Sequence, residues 1–127
     1  MSRKEENHLI IPIDIYRRGV LVFFGSNEEL MNFIKKNAPS DLIGVTTCLD
    51  DDETTVAHTI GTSTDAIIHA IKKPSSILTL IHEADHAAFR IMKIVGVETS
   101  DEEAHAYLQE FICQKMFEWL NFSCDVP

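Results

Sequence analysis

Several protein classes are excluded by what the 127-residue sequence lacks. Cysteine is scarce: Cys48, Cys113 and Cys124 are an odd number, and no pair has CxxC spacing. A disulfide scaffold or an all-cysteine zinc site needs more, and buried thiols are the simple reading of all three. Positive charge is also short, with 11 Lys+Arg against 20 Asp+Glu and a formal charge of −9. No basic stripe is available to neutralise phosphates, so nucleic acid is not an expected partner. The longest uninterrupted apolar run is Val20–Phe24. A membrane-spanning helix needs roughly 20 such residues, so no membrane partner is expected either. The polar start Met1–Asn7, and an apolar stretch Leu9–Ile15 broken by Pro12 and Asp14, do not make a secretory signal. The expected location is the cytoplasm.

What remains is ordinary globular material, 45% hydrophobic and 24% charged, with no repeat and no low-complexity linker. One domain over residues 1–127 is expected. Ile11, Ile13 and Ile15 alternate with Pro12, Asp14 and Tyr16, which predicts a strand over Leu9–Tyr16. Arg17-Arg18-Gly19 reads as a turn into a second strand, Val20–Phe24, and the two form an expected antiparallel hairpin. Ser26 or Asn27 caps a helix with Leu30, Phe33 and Ile34 on its apolar face, ended by Pro39. Strands are expected at Ile43–Leu49, Thr54–Ile60 and Ala66–Ile71. The acidic run Asp50–Glu53 is a solvated turn. A calcium loop counted from Asp50 would need Gly and Glu where Thr55 and Gly61 stand. A long helix runs from Pro74 to about Val95 and closes at Gly96; Ser100 or Asp101 caps a last helix to about Leu120. The predicted class is α+β, a small, mainly antiparallel sheet followed by two helices.

The chemistry lies on the long helix. His82-Glu83-Ala84-Asp85-His86 is an HExxH motif. Histidines at i and i+4 stack on one helical face, where two imidazoles reach one metal ion with the glutamate beside them. A chain of this composition matches the motif by accident only about 0.02 times. Ile77, Ile81, Ala84, Ala88, Ile91 and Val95 form the predicted packing stripe of the same helix. His82 and His86 point away from that stripe, toward a cleft or a covering element. A catalytic zinc needs a third protein ligand. A third histidine six positions after His86 is not available, since Met92 stands there. Glu102, Glu103 and His105, at the start of the last helix, can reach back, and helical geometry alone does not choose between them.

The segments Leu80–Ala88, Val95-Gly96-Val97 and Asp101–Leu108 resemble the small zinc metallopeptidases of bacteriophages and prophages, which are distantly similar to ImmA/IrrE-type peptidases. The likeness covers roughly residues 9–120 and is most specific where HExxH is followed by Glu-x-x-Ala-Tyr-Leu. The resemblance implies a minimal zincin-like domain, a Zn2+ cofactor and a peptide or protein substrate. It implies His82, His86 and Glu103 as metal ligands and Glu83 as the general base. Tyr107, one turn from Glu103, is then either an oxyanion donor or a packed core residue, and His105 lies within the motif as a competent ligand. The competing expectation is a zincin-like metal-binding protein that acts by binding a protein partner. His8, His58 and His69 read as surface or sheet histidines, and Phe111, Ile112, Met116, Trp119 and Leu120 as helix packing.

Overall fold

The computed structural model describes residues 7–37, 57–62, 65–70 and 77–121. Its elements are β1 (His8–Ile13), β2 (Arg18–Phe24), α1 (Asn27–Asn37), β3 (Ala57–Gly61), β4 (Ala66–Ala70), α2 (Ile77–Val95) and α3 (Glu102–Leu120). The expected strand at Ile43–Leu49, the acidic turn at 50–53, and the positions of Pro39, Pro74, Cys48 and Cys124 lie outside the described residues.

The four strands form one sheet in the order β1-β2-β4-β3. The hairpin is present, with Ile11 opposite Val20. Its turn lies earlier than expected: Tyr16 N–H donates to the Ile13 carbonyl, and Arg17 takes a positive φ of 54°. The sheet is mixed, with two of its three pairings antiparallel as expected and one parallel. β3 and β4 pair antiparallel, but β2 and β4 run parallel, with Val22 beside Ile68. Val20–Phe24 carried this signal, because an uninterrupted apolar run marks a strand covered on both faces. β4 is buried along its whole length.

Alternation divides the side chains between two cores. Ile11, Ile13, Val20, Val22, Phe24, Ala66, Ile68 and Ala70 face α2 and α3. Phe23 and Ile67 face the other way and pack with Leu30 and Ile34 of α1. The α1 helix starts with a capping box: Glu29 N–H donates to Ser26 Oγ, and Ser26 N–H donates to Glu29 Oε1, both at 3.1 Å. Gly96, at φ 79°, ends α2 in a left-handed cap, and the Val97 N–H returns to the Met92 carbonyl at 2.9 Å. Asp101 caps α3, accepting from the Ala104 N–H at 3.1 Å.

The buried face of α2 is rotated from the expected stripe. Leu80, Glu83, Ala84, Ala87, Ala88, Ile91 and Met92 are buried, whereas Ile77 and Ile81 are 38% and 37% exposed. α2 packs on two neighbours at once, the sheet and α3, so its covered arc is wider than one stripe. The last helix behaves as expected, with Ile112, Met116 and Trp119 buried and the Trp119 indole stacked on Phe24 at 5.3 Å.

One sheet histidine is deeply buried. His69 is 1% exposed on the α1 side of β4. Its Nε2 lies 2.8 Å from the Gly25 carbonyl and its Nδ1 2.8 Å from His58 Nε2. The carbonyl can only accept, so His69 Nε2 carries the proton and Nδ1 accepts from His58. Burial is the main cause that holds the His69 pKa below its ordinary 6.5; the Gly25 bond opposes it and the nearby His58 adds to it. The unfolded chain therefore binds a proton at a pH where the folded chain does not. Stability is full above about 6.5 and falls as pH drops from there toward the folded value. Urea unfolding at pH 7.5 and 5.5 should show the loss, and His69→Gln should diminish the difference between the two.

Candidate functional site

α2 carries the HExxH residues on two adjoining sides. His82 and His86 are exposed, whereas Glu83 is buried, 6% exposed, between α2 and β3. The two imidazoles converge, His82 Nε2 lying 3.2 Å from His86 Nε2 with the rings edge to face. Two nitrogens on one tetrahedral zinc, each about 2.05 Å from it, are separated by about 3.4 Å. The pair is therefore already spaced as two ligands of one ion.

Glu83 is held by a residue that sequence reasoning missed. Thr59 of β3 lies opposite Ile68 on the α2 side of the sheet. Its hydroxyl donates to Glu83 Oε1 at 2.9 Å and lies 3.1 Å from the Glu83 carbonyl oxygen. A buried carboxylate without donors is costly, and this hydroxyl supplies one while leaving Oε2 unengaged by it. The only hint in the sequence was the alternation of Thr59 with His58 and Ile60, which cannot show that Thr59 meets Glu83.

The third-ligand candidates lie in different surroundings. His105 Nε2 is 2.8 Å from Asp85 Oδ1 and 3.2 Å from the Asp85 carbonyl, so it ties α3 to the HExxH helix. Gln109, one turn on, donates to the Ile81 carbonyl at 3.3 Å. Glu102 and Glu103 are exposed in the first turn of α3. Glu103 belongs to the outward stripe of Glu103, Tyr107, Glu110 and Gln114, opposite the buried stripe of Leu108, Ile112, Met116 and Trp119. Tyr107 is 69% exposed and is no packed core residue. Among the described residues no three His, Cys, Asp or Glu side chains converge as a metal cage. The structure brings His82 to His86 and does not bring Glu103 to them. The donor set thus fits a zinc ion through its two histidines and lacks the third ligand in this arrangement.

No protein-family model, curated protein or solved structure matches the chain. Among the described residues no helix is long and apolar enough to cross a membrane.

Thr59→Val removes the hydroxyl and keeps the shape, leaving the buried Glu83 carboxylate one donor short. We expect a loss of about 1–3 kcal/mol in urea unfolding. Thr59→Ser, which restores the donor, should recover most of it.

Proposed function

We propose that the protein is a zinc-dependent hydrolase of peptide bonds, with His82 and His86 as metal anchors and Glu83 as general base. The observation that carries this reading is the pairing of two functions on one helix. Two imidazole nitrogens lie at ligand spacing, and the carboxylate of the residue that follows His82 is held by Thr59 on the adjoining side of the helix. A site that used zinc only as a structural staple has no need of Glu83. When bound, zinc supplies a Lewis acid that brings the pKa of a water toward about 7 and polarises a carbonyl. Glu83 Oε2, unengaged by Thr59, takes the proton of the attacking water. The same oxygen then delivers it to the amine as the C–N bond breaks. His82 and His86 must both present Nε2 lone pairs to a metal, so the ring that donates in their mutual contact has to carry its hydrogen on Nδ1 instead when the ion binds. An extended substrate has a place to pair at β3, an edge strand among the described strands and the one that carries Thr59.

The separation of Glu103 from the histidines favours a second reading, a metal-binding protein that acts by engaging a protein partner. Metal analysis and cleavage assays distinguish the two. The protein should hold about one zinc per chain, and His82→Ala or His86→Ala should abolish it. Glu83→Gln should keep fold and zinc while peptide-library cleavage, read by mass spectrometry, falls about 10²–10⁴-fold. A zinc-loaded wild type that cleaves nothing in a broad library would leave the partner-binding reading. Zinc titration of Glu103→Ala, Glu102→Ala and His105→Ala assigns the third ligand. The resemblance expects the loss at Glu103, which requires the first turn of α3 to bring that carboxylate around to the histidines.

A further inference from the structure

The face of α2 that presents the histidines continues past them. Arg90 stands one turn beyond His86 and is exposed. Residues i and i+4 lie on the same side of a helix, so its guanidinium and the His86 ring share one surface. The root of this side chain is seated on the sheet. A Cβ built at Gly61, the last residue of β3, would lie 3.1 Å from Arg90 Cδ, 3.5 Å from Nε and 3.7 Å from Cγ. The stem crosses the edge strand at the one position in β3 that has no side chain to obstruct it. Thr59 and Gly61 share the inner face of β3, one meeting Glu83 and the other Arg90. The points at which Glu83 and Arg90 meet β3 are therefore two residues apart along the same edge, on the order of 7 Å of extended chain.

The ion pairs among the described residues, His105–Asp85 and Lys115–Glu118, leave Arg90 out. In a chain of net charge −9, a planar, seated guanidinium with no carboxylate partner among the described residues is a local exception. Its fork matches a carboxylate in two parallel hydrogen bonds.

We propose that Arg90 is the specificity-determining residue of this site and selects peptides with a carboxylate within about two residues of the cleaved bond. This inference rests on the peptidase reading for its substrate, but the carboxylate preference is measurable as binding alone. The carboxylate is either an Asp or Glu side chain or the free C-terminus, and the two sources are separable.

Matched peptides supply the test. One set exchanges Asp and Glu for Asn and Gln at each position around the cleaved bond, and a second compares free with amidated C-termini. Each labelled peptide is titrated by fluorescence anisotropy against zinc-loaded wild type, Arg90→Gln and Gly61→Ala, and cleavage is followed in parallel. The wild type should favour the carboxylate member of one set by about tenfold, the scale of one charged hydrogen-bonded contact. In Arg90→Gln the ratio should fall to about one. Gly61→Ala, which displaces the stem and keeps the charge, should reduce the ratio several-fold. Equal binding of both members by wild type, or a preference that survives Arg90→Gln, overturns the assignment. A preference carried by Arg90 without any cleavage upholds it as a binding determinant, and then only the peptidase reading falls.

Discussion

A carboxylate enclosed between a helix and a strand has to be met by donors, and that requirement fixes how the HExxH helix is set on the sheet. Glu83 is pressed toward β3 because it lies at the margin of the buried arc of α2, and the Thr59 hydroxyl meets it there. Once this contact is made, the rest of the face follows from the helical repeat. His82 and His86 are carried to the open side, Arg90 is laid over Gly61, and the edge of the sheet runs alongside. Rotation of α2 by one residue would either carry the carboxylate to the exposed position of His82 or carry His82 and His86 into the buried positions of Glu83 and Ala87. The alanines at positions 84, 87 and 88, all fully buried, let the helix approach its neighbours closely enough to hold that setting.

The sheet imposes the second constraint. β2 and β4 lie in its middle and are covered on both sides, so each spends alternate residues on two different cores. Ile68 and Ala70 support the HExxH helix, while Ile67 and His69 serve α1. A polar group enters this second core only because the Gly25 carbonyl and His58 satisfy both of its ring nitrogens.

Local signals carried the elements well. Ser26 with Glu29, Gly96 and Asp101 are the caps that the structure uses, and the spacing of the histidines placed them together on a side away from the packing stripe. Long-range partnerships were not legible. The parallel pairing of β2 with β4 joins residues more than forty positions apart, and a pattern of apolar residues says that a strand is covered without saying by what. The stripe on α2 was placed too far round because periodicity assumes one packing partner, and Leu80, Ala87 and Met92 answer to two. Thr59 and Arg90 escaped notice for the same reason. Each acquires its meaning from a residue on another element. The resemblance supplied Glu103, whose side chain the packing of α3 directs outward.

The two polar ties between α2 and α3 repeat at the same interval on both helices. His105 and Gln109 are four residues apart, and so are Asp85 and Ile81, whose carbonyls they reach in antiparallel order. Apolar side chains at such an interface tolerate sliding, because one methyl group substitutes for another. These pegs do not, since a shift of less than a full turn of about 5.4 Å misses both carbonyls at once. The axial position of α3 is thereby quantised, and with it the height of the acidic turn Asp101–Glu103 along the HExxH helix. The two helices behave as a vernier: the apolar core supplies adhesion, and the polar pegs set the scale against which the first turn of α3 is read.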